Sequence, residues 1–302
     1  MAFDLSKKLV IGVSTRALFD LSYENSIFET EGVEAYRDYQ RAHEKEPLKP
    51  GPGFALIRSF LSLNELSERK DVVEVIIMSR NSSDTALRVF HSIDHYGLKI
   101  ARAVLAGGAP IAPYLSAFHT DLFLSAHEDD VQAAIDSGIA AGVIRTDGRV
   151  DYDREEQGHK IRIAFDGDAV LFTDESERIY QEKGLTAFEQ NEVQKADLPL
   201  QEGPFAKFLQ AIAQIQDAFE GKEAPIRTAL VTARCAPAHE RAIKTLRSWG
   251  VRVDEAFFLG GVSKKEILKA FGADIFFDDQ SIYTEAAAEV VFAARVPYKS
   301  TA

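Results

Sequence analysis

The chain has 302 residues, with 35 Lys and Arg against 47 Asp and Glu, a net charge of −12 with histidines neutral. Its content of 46% hydrophobic and 27% charged residues is that of a globular protein and excludes a disordered or collagen-like chain; the length suits one large domain or two of about 150 residues. The acidic balance speaks against a nucleic-acid polymer as partner, because such binding needs a cationic stripe that displaces counterions from phosphates. One cysteine, Cys235, leaves no internal disulfide and fits a reducing compartment. No stretch approaches the ~20 apolar residues that span a bilayer, so no membrane partner is expected and the chain reads as cytoplasmic.

In chain order, the apolar runs LVIGV (9–13), VEVIIM (73–78), AVLA (103–106) and DLFL (121–124) read as buried strands separated by helical stretches. Residues 145–160, RTDGRVDYDREEQGHK, are almost free of apolar side chains and read as a boundary. Beyond it, IRIAF (161–165), TALVT (228–232), AFFL (256–259) and DIFF (274–277) repeat the strand pattern. Between the last two, Ile267, Leu268 and Phe271 recur at helical spacing until Gly272 ends the turn. The expectation is an α/β fold with mainly parallel sheets: one domain over 1–145, a linker over 146–160, and a second domain over 161–302. The stretch at about 173–226 is too long for a simple crossover and reads as a helical cap, while Pro47, Pro50 and Pro52 break helices at the matching place in the first half.

The two halves match one another. An offset of 152 residues sets 14–36 over 166–188 without a gap, Gly32 on Gly184 and Gly51-Pro52 on Gly203-Pro204. An offset of 153 sets 78–100 over 231–253 and DLFLSA over DIFFDD. A register held over so long a stretch indicates duplication. The differences between the copies are chemical: Asp166 and Asp168 stand opposite Ser14 and Arg16, Lys264 opposite Ile111, and Asp278-Asp279 opposite Ser125-Ala126.

Asp166 and Asp168 follow a central strand, at the edge where open α/β sheets bind ligands. Asp278-Asp279 follow DIFF, Thr232 follows TALV, and Lys264 opens the helix before DIFF. Three or four carboxylates converging there would repel one another unless a cation joined them, and all-oxygen ligands favour Mg²⁺. Asp166 suits attack on phosphorus, with Asp168 protonating the leaving alkoxide and then activating water.

The segments FDGDAVLF, VTAR, GVSKKEIL and FFDDQ resemble the four motifs of the haloacid-dehalogenase superfamily. FDGDAVLFTDESERI, IRTALVTARCA, KTLRSWGVRVDEAFFLGG and IFFDDQ, with VSTRALFDL, RDYQRAHEKEPLKPGPGF, SIDHYGL and FHTDLFLSA in the first half, resemble the cytosolic type I 5'-nucleotidases over nearly the whole chain. The resemblance implies two tandem Rossmann-like units, the first degenerate and the second catalytic. It also implies Mg²⁺-dependent hydrolysis of nucleoside 5'-monophosphates, AMP or pyrimidine deoxynucleotides. By the same resemblance Asp166 is the nucleophile and Asp168 the acid and base; Thr232, the strand-end amide of Ala233, and Lys264 (in preference to Lys265) hold phosphate. Asp166, Asp279, Asp278 through water and the Asp168 backbone carbonyl are the implied metal set. Some relatives are activated by nucleotides, which makes Arg16 and Ser79 a candidate regulatory nucleotide site, and a homo-oligomer is a candidate assembly.

Two rivals accompany this reading: a phosphatase of the same chemistry acting on a sugar phosphate or another small phosphomonoester, and a non-enzymatic nucleotide-binding protein. Cys235 with His239, and His91 with His95, have the spacing of reactive or metal-binding pairs. The carboxylate set already accounts for the first pocket, and no Glu follows His91, so both pairs read as packing residues, as does Trp249.

Overall fold

A computed structural model describes residues 4–66, 71–146, 160–217, 219 and 224–298. They form two compact α/β units, one of residues 4–139 and 143–146 and the other of 140–142 and the described residues from 160 onward. Apart from its two end positions, the expected linker lies outside the described residues.

The first unit runs β1 (Leu9–Val13), α1 (Thr15–Leu18), β2 (Phe19–Asp20), α2 (Ser22–Glu31), α3 (Val33–Ala42), β3 (Lys49–Pro50), α4 (Phe54–Leu66), β4 (Val73–Ser79), α5 (Leu87–His95), β5 (Arg102–Leu105), α6 (Ala112–Ala117), β6 (Leu122–Ser125) and α7 (Glu128–Asp136). The division falls within β7 (Ala140–Ile144). The second unit continues with β8 (Ile161–Phe165), α8 (Glu175–Gln194), α9 (Ala206–Asp217), β9 (Ile226–Thr232), α10 (His239–Ser248), β10 (Glu255–Phe258), α11 (Lys264–Phe271), β11 (Ile275–Asp278), α12 (Ser281–Ala287) and β12 (Ala293–Arg295). The predicted strands all form, with ends moved by no more than two residues. β7 and β12 escape prediction because AAGVI and AAR lack a run of β-branched or aromatic residues.

Each unit has a Rossmann-like parallel sheet, ordered β5-β4-β1-β6 in the first and β10-β9-β8-β11-β12 in the second. β1, β4 and β6 are buried at every position, which is why they read as unbroken apolar runs. Pairing registers are duplicated along with the sequence. Leu9 faces Val73 as Ile161 faces Ile226, Ile76 faces Arg102 as Ala229 faces Glu255, and Ile11 faces Leu122 as Ile163 faces Ile275.

The ungapped overlay of 14–36 on 166–188 needs one correction. The four residues of α1 are replaced by a wider five-residue turn, Gly167–Leu171, with Ala169 in the left-handed region at φ 60°. The Gly51 N–H donates to Leu18 O while the Gly203 N–H donates to Leu171 O, so the register slips by one residue across this turn. It is recovered by Gly184, whose φ of 78° breaks α8 as Gly32, at φ 90°, separates α2 from α3. A turn absorbs an extra residue without moving the strands beside it, so the strand-end positions keep their correspondence.

One face of the second sheet buries Ala164, Val231, Leu268, Phe271 and Phe276. On another cluster, Phe165, Phe205, Phe208 and Phe277 stack, with Phe205 and Phe277 centroids 4.5 Å apart. α9 brings Phe208, Leu209 and Ile212 into the core, whereas α8 buries only Ser176 and Glu192. The chain enters α9 past Gly203, where a Cβ would lie 2.3 Å from Phe172 O. Gly203→Ala is therefore expected to lower the unfolding free energy by roughly 2 kcal/mol or more, and the urea midpoint with it, because a backbone atom cannot yield as a side chain can. An unchanged midpoint would contradict this close approach.

Candidate active site

The site of the second unit is built on adjacent strand ends. Asp166 follows β8 and its N–H donates to Phe277 O at 2.8 Å, which sets its carboxyl beside that of Asp278 at the end of β11. Lys264, the first residue of α11, is buried and bridges the two: its Nζ lies 2.8 Å from Asp166 Oδ1 and 2.7 Å from Asp278 Oδ2. The Tyr283 ring centroid is 4.5 Å from the same ammonium. Lys265 instead pairs with Glu289 at the surface. Asp278 Oδ1 accepts the Gln280 N–H at 2.9 Å, as Ser125 Oγ accepts the His127 N–H in the first unit. Asp279 completes the group, with one carboxylate oxygen each from Asp166, Asp278 and Asp279 within 4.8 Å of one another.

Three carboxylates share one ammonium, and their electrostatics record the imbalance. Burial raises the Asp166 pKa despite Lys264. Burial and then the Asp166 charge push Asp278 up to about 7, and burial with the Asp166 and Asp278 charges pushes Asp279 up to about 8. Burial works against the charge of Lys264, but Asp166 and Asp278 outweigh it and raise the pKa. A donor set of three oxygen ligands with surplus negative charge fits a hard divalent cation.

Thr232 ends β9, buried, and its Oγ1 accepts the Arg234 N–H at 3.2 Å. A Cβ on Gly167 would lie 3.2 Å from the same Oγ1, so the residue between Asp166 and Asp168 is pressed against this hydroxyl. Ala233 stands exposed at the rim. Asp168 does not join the other carboxylates, so three converge rather than four. Both of its oxygens accept from Arg234, from Nε at 2.8 Å and Nη2 at 2.7 Å.

Arg234, the last residue of VTAR, was not singled out by sequence reasoning. Its buried guanidinium also donates to Glu192 of α8 and lies over the Phe172 and Phe188 rings at 5.8 and 5.4 Å. Burial opposes that charge, and Asp168 and Glu192 overcome it and hold the group ionised. Glu192 accepts further bonds from Arg241 Nη1 and Ser176 Oγ, each at 2.9 Å, and its pKa is lowered against the effect of burial. The repeat conserves the Glu192 side of this network but not Arg234, which stands opposite Asn81. Arg88 of the first unit, in register with Arg241, donates to Glu24 at 2.7 Å and to Gln40, the counterpart of Glu192, at 3.3 Å. Arg88 Nε bonds Glu46 O as Arg241 Nε bonds Leu198 O, each at 2.9 Å.

In the first unit Arg16 and Ser79 both line a cavity of about 780 Å³. Ile111 is buried where Lys264 would stand. Among the discounted residues, Cys235 is a free thiol and the His239 ring packs on Phe258. His91 Nδ1 lies 2.9 Å from Glu44 O, His95 packs against Tyr96, and Trp249 lies 5.6 Å from Phe172.

A family model described as 5'-nucleotidase matches residues 1–302. The chain belongs to the 5'-nucleotidase family. Human cytosolic 5'-nucleotidase 1B is 38% identical to it over 289 residues, 92% of this chain and 47% of that protein. The chain thus spans about half the length of this curated relative. Among the described residues no helix is long and apolar enough to cross a membrane.

Two outcomes follow for this family member. Asp278 and Asp279, ordinarily near 3.8, hold their protons to about 7 and about 8 in the fold, so the native state binds more protons than the unfolded chain across that window. Stability in EDTA should therefore fall as pH rises from about 6 to about 8, and Asp279→Asn should flatten the fall. A Tm that rises over this range would contradict the cluster. Arg234→Ala leaves Asp168 without its bidentate partner and Glu192 with Arg241 and Ser176 alone, and should cost about 3 kcal/mol in urea denaturation. Arg234→Lys, which keeps the charge but not the bidentate geometry, should fall between that variant and wild type.

Proposed function

We propose that this chain hydrolyses nucleoside 5'-monophosphates, AMP or a pyrimidine deoxynucleotide, to nucleoside and phosphate through an aspartyl-phosphate at Asp166. The observation that carries the reading is the buried Lys264 bridging Asp166 and Asp278, with Asp279 alongside, in a chain of the 5'-nucleotidase family. Mg²⁺ held by Asp166, Asp279 and Asp278, with the Asp168 carbonyl, would neutralise phosphate charge.

In this reading a carboxylate oxygen of Asp166 attacks phosphorus and the bond from phosphorus to the 5' oxygen breaks. Asp168 gives that oxygen a proton and the nucleoside leaves. The Asp168 carboxylate then takes a proton from water as the water oxygen attacks phosphorus. The bond to Asp166 breaks, and phosphate and both carboxyl groups are restored. Lys264, the Thr232 hydroxyl and the Ala233 amide hold the phosphoryl oxygens as charge redistributes. Because both Asp168 oxygens accept from Arg234, a proton carried by Asp168 replaces one of those bonds. Glu192 passes that exchange to α8, which we assign as the part of the 173–226 insertion that covers the nucleoside.

Phosphate release from a panel of nucleoside 5'-monophosphates and sugar phosphates, with Mg²⁺ and with EDTA, tests the reading. It predicts metal-dependent release from nucleotides and a loss of about a thousandfold or more in Asp166→Asn. Release from sugar phosphates alone would overturn the substrate, and undiminished turnover by Asp166→Asn would overturn the nucleophile.

A further inference from the structure

The cavity of the first unit, about 780 Å³, lies at the carboxyl ends of β1, β4 and β6, within the size of small-molecule sites. The duplicated register makes this the counterpart of the carboxylate site, with its chemistry inverted. Ser14, Ser125 and Ala126 stand where the second unit has Asp166, Asp278 and Asp279, so no acidic set for a cation remains there.

A cation has been added in its place. Of the arginines on the cavity wall, Arg80 is bound by Asp130 at 2.6 Å and Arg37 by Glu34 at 2.9 Å. Arg16, half-buried, makes no hydrogen bond or ion pair among the described residues. Asp130, the acid on this wall, is already held by Arg80 through three short hydrogen bonds. A partly desolvated guanidinium without a partner is a costly feature unless an anion completes it.

The space itself has a cause in the sequence. Arg234 fills the corresponding region of the second unit with its guanidinium against Phe188; the first unit has Asn81 and Tyr36 at those positions. Tyr36 O–H donates to Asn81 Oδ1 at 3.4 Å, so the shorter pair stays linked but leaves the volume open. Phe28 packs edge-on to Tyr36 with centroids 6.0 Å apart, giving the same cavity an aromatic wall.

We infer that the first unit binds a phosphate monoester of nucleotide size without a metal and without hydrolysing it. Arg16 supplies the charge, Ser79 and Asn81 supply neutral donors, and Phe28 and Tyr36 receive the organic part. The inference rests on the geometry of the first unit and not on the reaction of the second.

Calorimetric titration of AMP, adenosine and inorganic phosphate into the full chain carrying Asp166→Asn, in EDTA, tests it. The expected result is one equivalent of AMP bound, with adenosine weaker by about tenfold or more because it lacks the charged group. Adding Arg16→Ala should weaken AMP by a similar factor with Tm unchanged, since Arg16 has no partner among the described residues to lose. Asn81→Arg, which puts the second unit's side chain into the cavity, should abolish binding by an independent route. Lys264→Ala should leave it intact. Absence of AMP binding in EDTA, or binding that survives Arg16→Ala and Asn81→Arg but is lost in Lys264→Ala, would overturn the inference, the latter by placing the ligand in the second unit.

Discussion

A single buried ammonium, that of Lys264, makes it physically tolerable for Asp166 and Asp278 to end adjacent strands of a parallel sheet. Without it two carboxylates would be buried side by side with nothing opposing their repulsion. Its helix, α11, is anchored by Leu268 and Phe271 in the apolar core and stopped by Gly272 in the left-handed region, so the ammonium is held by packing and not by a flexible loop. Burial, together with a remaining shortage of positive charge in the cluster, makes Asp278 and Asp279 hold their protons up to about 7 and about 8. That deficit is the property a divalent cation and a phosphate ester would exploit.

Around this centre the duplicated scaffold has been used in two ways. Strand registers, the glycine that divides the helical insertion, and the buried arginine that fixes that insertion are common to both units: Arg88 holds Glu24 and Gln40, and Arg241 holds Glu192. The chemical differences lie at the strand ends, in the turn after the first strand of each unit and at the start of one helix. The second unit concentrates acid and answers it with Lys264 and Arg234. The first has Ser14, Ser125 and Ala126 in place of the acids, buried Ile111 in place of Lys264, and Arg16 with no counter-charge among the described residues. Scaffold and chemistry vary separately because strand pairing is set by backbone and apolar faces, while strand-end side chains contribute little to either.

The parallel strands and the meeting of Asp166, Lys264 and Asp278 were legible because each signal is local: an apolar run, then a polar residue at its carboxyl end. Lys264 could be told from Lys265 by the repeat, since a buried helix-start position opposite Ile111 must face inward. Arg234 was not legible in that way. Its partners Asp168 and Glu192 come from distant segments, and an arginine after a strand ordinarily reads as solvent-facing. Only the recurrence of a polar residue at the matching positions Gln40 and Glu192, each bonded to an arginine of the repeat, hints at it. The extra residue in Gly167–Leu171 was hidden for a related reason: α8 recovers the register by Gly184, so an ungapped overlay looks continuous.

The account turns on Asp166 being the residue that takes up phosphate. Rapid acid quench of the chain turning over AMP with Mg²⁺, followed by borohydride reduction and peptide mass spectrometry, reads this directly, because an acyl phosphate is reduced to an alcohol at the residue that carried it. The account predicts homoserine at position 166 and nowhere else, absent when AMP is omitted. Reduction product at Asp168, at Asp278 or in the first unit, or turnover with none at any aspartate, would contradict it.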